Sequence, residues 1–595
     1  MCRIAGIIAK RISHHELTEK VSLMCDVLKH GGPDDGGIFS DEHVSLVFGH
    51  RRLSIIDPGI NGHQPMADVN KRVWITFNGE IYNYLPIREQ LLAVGVVFHS
   101  FTDTEVIINA YLQWGVSSFS KLRGMFAFAL YDIKGGTTFL VRDASGVKPL
   151  YYYVNGKSLS FASEVRAFKS AGTTHETDHS WPVRFLAFGH IPEPFTTLKN
   201  VLSLQKGHYL AWQHDSCTYQ IRPFYQITAK PGIISLEDAK AQIRAGLQTA
   251  VNRQLMADAP IGVFLSGGTD SSILSLLANQ QTEQQIKTIS IYFNEKNYDE
   301  SAYQNNVLQQ ISGEKYTHLV KQKDFEEYFP KIIADMDLPT TDGINTWFIS
   351  KYAHQDGLKA VLSGVGADEL FGGYPSFNRM KYLRYLRKLP SFLFKAANYF
   401  QTDRHRKISF LANEHYLGDY LLLRGLFVAS DIARILDRSA GEVNEILFSE
   451  QNLNHLNRYD EEHAAWFETN LYMQNQLLRD TDVMSMSHGL EVRVPFLDED
   501  FQELALSLAP GIRFDSYQPK KILIDSFRDL LPEPTWNRPK MGFTFPFQEW
   551  MSRHGEISNE KLYKGRFAKN EVLKFKNGQI HWSKIFALYQ IQQHV

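Results

Sequence analysis

Cysteine is nearly missing from this chain: Cys2, Cys25 and Cys217 are the only three among 595 residues. Their odd number and wide spacing argue against a disulfide framework and match no zinc-ligand pattern, which points to a reducing compartment. Long apolar runs are lacking too. No stretch of about 18 apolar residues occurs, so no membrane span is expected. Met1 to Arg11 holds no apolar core of a signal peptide, and the default location is the cytoplasm. A surplus of one charge is also absent. With 63 Lys and Arg against 65 Asp and Glu, the net charge is −2, which gives no reason to expect a nucleic-acid partner or an acidic membrane. Internal repeats and low-complexity tracts are absent. What remains is a chain with 44% hydrophobic and 13% aromatic residues, long enough for two to four packed domains.

The first 215 residues read as strands with few long helices. Val73–Phe77, Met125–Tyr131, Thr137–Val141, Leu150–Val154 and Ser158–Ala162 are β-rich. Thr104–Trp114 reads as a helix with Thr102 or Asp103 near its N-cap. A Pro-containing passage suggests a linker over 216–234. From Ser235 the texture changes to alternating helix and strand. Ser235-Leu-Glu-Asp opens a helix reaching about Met256. Strands follow at Ile261–Leu265, Lys287–Phe293, Glu314–Val320 and Ala360–Ser363. That alternation predicts a parallel sheet covered on both faces. Residues 377–480 read as mostly helical. The run Lys381-Tyr-Leu-Arg-Tyr-Leu-Arg-Lys388 reads as a charged amphipathic surface in preference to a nucleic-acid site.

Cys2 matters because of its position. Removal of Met1 puts a thiol and an α-amine on one residue. The amine, with a pKa of roughly 7.7–8.0, can serve as the base that makes the reactive thiolate. Taken alone, Cys2 fits a buried structural cysteine better. Other segments change the weighing: His50-Arg-Arg-Leu-Ser-Ile-Ile-Asp57, Gly62-His-Gln-Pro-Met66, Phe77-Asn-Gly-Glu-Ile-Tyr-Asn83 and Thr102-Asp-Thr-Glu105. Together they resemble the glutaminase domain of class II glutamine amidotransferases. The resemblance implies that Cys2 attacks the side-chain amide of glutamine. It implies that the Asn78 side chain and the Gly79 N–H form an oxyanion hole. Arg52 would grip the substrate α-carboxylate, Glu80 and Asp103 would take its α-ammonium and nearby donors, and Ile55 would belong to the same pocket.

A second motif, Pro260-Ile-Gly-Val-Phe-Leu-Ser-Gly-Gly-Thr-Asp-Ser-Ser272, joins a strand to a helix. Backbone N–H groups at such a junction can cradle phosphate. No Gly-Lys-Ser/Thr follows, so it is not a Walker loop. It resembles the pyrophosphate loop of the ATP pyrophosphatase superfamily, whose members cleave ATP to AMP and pyrophosphate. Leu362-Ser-Gly-Val-Gly-Ala-Asp-Glu-Leu-Phe-Gly-Gly-Tyr374 follows a later strand, and the two loops can meet at one sheet edge. Further on come Leu477-Leu-Arg-Asp480, Gly489-Leu-Glu-Val-Arg493, Pro519-Lys-Lys-Ile-Leu523 and Arg538-Pro-Lys-Met-Gly-Phe543. In this order, over nearly the whole chain, the segments resemble glutamine-hydrolysing asparagine synthetases.

That resemblance implies an α+β N-terminal nucleophile sandwich (αββα) over 1–215, a linker, and a doubly wound α/β synthetase domain with a helical extension over 235–595. The cofactors implied are ATP and Mg²⁺. Phe264, Leu265, Ser266, Gly267, Gly268, Asp270, Ser271, Ser272, Ile291, Ser363, Gly364 and Lys520 would bind ATP, and Asp270 with Asp368 would hold the metal. The expected partners are glutamine, ATP and aspartate, with no nucleic acid or membrane and a homodimer as an allowed assembly. Two departures fall in the acceptor region. Val365 stands where aspartate-activating members usually carry Glu, and Thr340-Thr-Asp-Gly-Ile-Asn-Thr346 lacks the usual Arg. Asp342 and Glu369 are the acids left there, and another carboxylate acceptor, a sugar acid or a peptide, is the alternative. A non-catalytic binding relative is the remaining reading, opposed by the full set of candidate residues.

Overall fold

Side-chain alternation decides the N-terminal architecture. The computed structural model describes residues 2–57, 59–229, 232–281, 286–449, 458–515, 517–539 and 541–594. Its first twelve strands are β1 (Arg3–Ala9), β2 (Asp35–Asp41), β3 (Leu46–Arg52), β4 (Met66–Ala67), β5 (Val73–Ile81), β6 (Gly124–Asp132), β7 (Thr137–Arg142), β8 (Tyr151–Asn155), β9 (Ser158–Ala162), β10 (Val201–Ser203), β11 (His208–Gln213) and β12 (Thr218–Pro223). They form two antiparallel six-stranded sheets, ordered β10-β8-β9-β1-β3-β2 and β12-β11-β7-β6-β5-β4. On β1, Ile4 and Ile8 face the space between the sheets, while Ala5 and Ile7 pack with Leu17, Val21 and Met24 of the helix His14–Val27. On β6, Ala127 and Ala129 face inward. Phe126, Phe128 and Leu130 pack with Val106, Ile107 and Ala110 of the helix Asp103–Trp114. The period of two thus buries both faces of the central strands of both sheets and produces the expected αββα layering.

The C-terminal part holds one fully parallel sheet of β13 (Ile261–Phe264), β14 (Lys287–Tyr292), β15 (Lys315–Leu319), β16 (Ala360–Leu362) and β17 (Glu491–Arg493), ordered β15-β14-β13-β16-β17. The order grows outward in both directions from β13 and β16, so the topological switch lies between those two strands. Ligand sites in open α/β sheets form there, beyond the strand C-termini. The helix Leu236–Gln254 begins where Ser235 predicts, since the Ser235 side chain caps the N–H of Asp238. Helices and 3₁₀ turns between Pro375 and Phe448 form the expected extension. Among the described residues, no helix is long and apolar enough to cross a membrane.

Two features differ from the sequence reading. Strand β12 lies inside the stretch 216–234 read as a linker, because Thr218–Pro223 pairs with all of β11 and closes the second sheet. The same stretch is held at its far end, where Ile233 N–H donates to Ser507 O at 2.8 Å and Ile233 O accepts from Ala509 N–H at 3.0 Å. The edge strand β17 is also unforeseen. Three residues carry too little periodicity to show as a strand.

Candidate active sites

The first cleft is built where the two antiparallel sheets meet the loop 53–62. It is a half-open cleft whose walls include Cys2, Arg52, Ile55, Gly79, Glu80 and Asp103. Cys2 is buried, and burial raises its thiol above the ordinary range. A thiol in that state needs a base. The Cys2 backbone nitrogen donates to Asn78 Oδ1 at 3.1 Å. Asn78 lies behind the cleft wall on β5, and its Nδ2 is buried with no hydrogen-bond partner among the described residues. An amide fixed through its oxygen keeps its N–H donors available, which suits a site where negative charge develops. Gly79 follows at φ +148°, and a Cβ there would fall 2.1 Å from Met125 O, so only glycine fits.

Arg52 ends β3 with Nη1 donating to Gly59 O at 2.9 Å and Nη2 to Asp57 O at 2.6 Å. Gly62 makes room for it, since a Cβ at Gly62 would lie 1.8 Å from Nη2. Among the described residues no carboxylate forms an ion pair with this guanidinium, so its charge can serve an anionic ligand. Asp103 begins its helix and accepts from Ile81 N–H at 3.0 Å, and burial still pushes it up to about 6. Glu80 is raised well above the usual carboxylate range by burial and by the neighbouring Glu491 and Asp103. Two buried acids with raised pKa values make a receptor for a cation.

The second site lies at the switch point. After β13, Gly268 N–H donates to Ser266 Oγ at 3.3 Å, and Ser271 Oγ and Ser272 Oγ donate back to Gly268 O at 3.2 and 2.7 Å. These bonds fold 266–272 into a closed turn opening the helix Thr269–Gln281. Gly364 brings the loop after β16 onto it, because a Cβ at Gly364 would lie 3.0 Å from Asp270 Cβ and 3.3 Å from Ser271 N. Lys520 reaches between the loops: Nζ is 2.9 Å from both Asp270 oxygens and 2.8 Å from Asp368 Oδ1. Both carboxylates raise the lysine pKa against the opposing effect of its burial. Its backbone sits at φ +58°, a strained conformation for a side-chain-bearing residue and one that clusters at functional sites. Ser363 N–H donates to Arg493 O at 2.8 Å. Leu265 and Ile291 are core side chains, so they can meet a nucleotide only through backbone atoms. Phe264 is half-buried.

The acceptor residues fall into one acidic and aromatic cluster. Glu369 accepts from Tyr374 Oη at 2.7 Å and is pushed up to about 7 by burial and by Asp368. Asp342 is also raised by burial, opposed by its bond from Gly343 N–H and by Arg424. Arg424 pairs with Glu468 at 2.7 Å and lies over the rings of Tyr472 and Tyr374, 3.6 and 4.6 Å from their centroids. Val365 is half-buried and packs against the hydrophobic core. Tyr374 ends the Leu362–Tyr374 motif, whereas Arg424, Tyr472 and Glu468 carry no motif in the sequence. They are found only through the helices that bring them together.

Two further arginines brace these sites, and Arg493 reaches both. Arg538 Nη2 donates to Gly267 O at 3.0 Å, pairs with Glu300 at 2.6 Å and stacks 3.7 Å from the Tyr303 ring centroid. Arg493 is fully buried. Its Nη2 approaches Glu80 Oε1 at 3.7 Å in the first cleft, while its own carbonyl holds Ser363 beside the second. Nearby, Arg3 beside Cys2 binds Glu164 at 2.7 Å and Asp482 at 2.8 Å, and Lys148 binds the same Asp482 at 3.2 Å. The two clefts are therefore joined by a buried charged interface.

Two family models and several curated proteins match the chain. A family model described as asparagine synthase matches residues 242–582, and one described as a glutamine amidotransferase domain matches 1–225. A Bacillus subtilis protein named asparagine synthetase (glutamine-hydrolyzing) 1 is 31% identical over 572 residues, covering 93% of this chain and 88% of its own length. A Methanocaldococcus jannaschii protein named putative asparagine synthetase (glutamine-hydrolyzing) 2 is 35% identical, covering 66% and 79%. A Gibberella zeae protein named amidase chry2 is 28% identical, covering 90% and 86%. Among solved structures, the glutamine phosphoribosylpyrophosphate amidotransferase of B. subtilis gives a TM-score of 0.30 at 15% identity, covering 53% of this chain and 81% of that one.

Proposed function

We propose, from the premise that this chain belongs to the asparagine synthase family and carries a glutamine amidotransferase domain at its N-terminal end, that it is a glutamine-dependent amide ligase acting on aspartate. The observation that carries the reading is Lys520 bridging Asp270 and Asp368 at the switch point, one buried interface away from the Cys2 cleft. The glutaminase unit then runs through β12 to Pro223, and the synthetase unit starts at Ser235. We place the reaction in the cytoplasm.

At the first centre the Cys2 thiol gives its proton to the α-amine, the thiolate attacks the glutamine side-chain amide, and the α-ammonium returns the proton to the leaving nitrogen. Asn78 and Gly79 steady the oxyanion. The amide C–N bond breaks, ammonia leaves, and water cleaves the thioester to glutamate. Arg52 holds the substrate carboxylate, and Asp103 with Glu80 holds the ammonium. At the second centre the acceptor carboxylate attacks the α-phosphorus of ATP and pyrophosphate leaves. Ammonia then attacks the acyl-adenylate, forming the amide and AMP. The turn 266–272 offers hydroxyls and N–H groups to the phosphates, and Lys520 and Arg538 supply positive charge there. The Asp270–Asp368 pair fits Mg²⁺, because oxygens of both converge within 2.9 Å of one bridging ammonium and Mg²⁺ commonly takes one or two carboxylates plus phosphate. Bound there, Mg²⁺ would neutralise charge on the departing pyrophosphate.

A second reading keeps the chemistry and changes the acceptor to a sugar acid or a peptide carboxylate. Val365 favours it, since its side chain can neither accept a hydrogen bond nor carry charge. Arg424 favours it too, being already matched by Glu468. The test is pyrophosphate release with ATP, Mg²⁺ and glutamine across a panel of carboxylic acids. Saturable asparagine formation with aspartate supports the main reading. Turnover with another acid and none with aspartate selects the second.

A further inference from the structure

The stretch Arg379–Phe400 is used by neither centre. It contains six cationic residues, Arg379, Lys381, Arg384, Arg387, Lys388 and Lys395, and no acidic one, in a chain of net charge −2. Lys381 is paired with Glu461 and Arg387 with Asp419, which leaves Arg379, Arg384, Lys388 and Lys395 exposed and without a carboxylate partner among the described residues, with Arg384 and Lys388 lying against the Tyr385 ring. The helix Pro375–Leu386 turns Phe377, Met380 and Leu383 to the core and Tyr382 and Tyr385 outward. Beyond Pro390, Phe392 is 66% exposed, Tyr399 89% and Phe400 50%, and the aliphatic Leu389 and Leu393 are exposed with them. Seven large apolar side chains between 382 and 400 are thus exposed.

We propose that 379–400 is a docking surface for an anionic phospholipid bilayer. Aromatic and aliphatic groups among unpaired cations match a headgroup layer, where rings and methyl groups sink in and ammonium and guanidinium groups meet phosphate. A second copy of this chain fits poorly, because a two-fold contact would set four unpaired cations against the same four. Nucleic acid would use the charges and the rings but gain nothing from exposed Leu389 and Leu393. The docking helix starts one residue after Tyr374, whose hydroxyl binds Glu369 in the acceptor cluster.

Co-sedimentation of the full chain with vesicles tests this. The protein should pellet with phosphatidylcholine vesicles containing phosphatidylglycerol, stay in solution with phosphatidylcholine alone, and be released by high salt. Each of R384Q, K388Q and K395Q should weaken binding roughly fivefold, and the double variant F392S/Y399S should abolish it. All these side chains are exposed, so the variants should keep wild-type circular dichroism and solution turnover. The proposal is overturned by failure to bind anionic vesicles or by binding that survives F392S/Y399S. Retention on RNA in place of vesicles, or loss of a dimer in the same variants, would overturn it as well.

Discussion

Replacing Asn78 with aspartate keeps the atom that faces Cys2 and removes the donor beside it. Oδ1 accepts from the Cys2 nitrogen at 3.1 Å, while Nδ2 is the buried amide group with no partner among the described residues. The substitution preserves side-chain volume and the acceptor, so the fold should stand. What is lost is one preorganised donor to the tetrahedral oxyanion, a loss of about 10²–10³ in kcat or roughly 2.7–4 kcal/mol. The added carboxylate would also hold the Cys2 α-amine protonated, which depresses the rate further. Glutamine KM should move little, because Arg52, Glu80 and Asp103 are untouched. Amide synthesis from ammonium salt should stay within about twofold, since effects at well-separated sites are independent. Glutamate release, thermal melting and ammonia-driven pyrophosphate release, all on one preparation, form the assay. The reasoning is refuted if the variant keeps more than a tenth of wild-type glutaminase kcat, or if the ammonia-driven reaction falls in parallel.

Three further outcomes are expected. Gly79→Ala forces a Cβ to 2.1 Å from Met125 O at φ +148°, so thermal melting should show a loss of about 1–3 kcal/mol or more, together with loss of glutaminase activity. Lys520→Met leaves the Asp270–Asp368 pair without its ammonium, so pyrophosphate release should drop by about a hundredfold or more while basal glutamine hydrolysis survives. Asp103 has a folded pKa near 6, above its ordinary 3.8. The native state therefore holds more protons than the unfolded one between those values, and its contribution to stability declines as pH rises through that window. Glutamine binding needs the ionised form, so kcat/KM for glutamine should fall as pH drops through about 6, and a pH–rate profile of Asp103→Asn should lack that limb.

Much of this was legible in the sequence because it rests on local rules. The Ser266–Ser272 turn, the capped helix from Ser235 and the parallel strands follow from turn chemistry and periodicity, whereas Gly79 was singled out by the resemblance to the glutaminase domain. The convergence of Lys520 on Asp270 was not, since those residues lie 250 positions apart and only the loop positions around the switch point unite them. Arg538 and Arg493 stood in recognisable strings, yet their contacts with Gly267 and Glu80 depend on packing between elements. Of the acceptor cluster only Tyr374 stood in a motif; Arg424, Tyr472 and Glu468 left no trace, because helices far apart in the chain supply them. Strand β12 was read as linker because of the prolines around it, although Tyr219 and Ile221 alternate with Thr218, Gln220 and Arg222; the strand is short and all six of its residues are exposed.

The central claim is that amide nitrogen released at Cys2 meets a carboxylate activated as an adenylate at the 266–272 turn. One reaction tests it directly. The enzyme is given glutamine labelled with ¹⁵N in its side-chain amide, ATP and an acceptor labelled with ¹⁸O in its carboxylate, and all products are read by mass spectrometry. The account predicts ¹⁵N in the product amide, one ¹⁸O in AMP and unlabelled pyrophosphate. Formation of ADP with ¹⁸O in inorganic phosphate would contradict it.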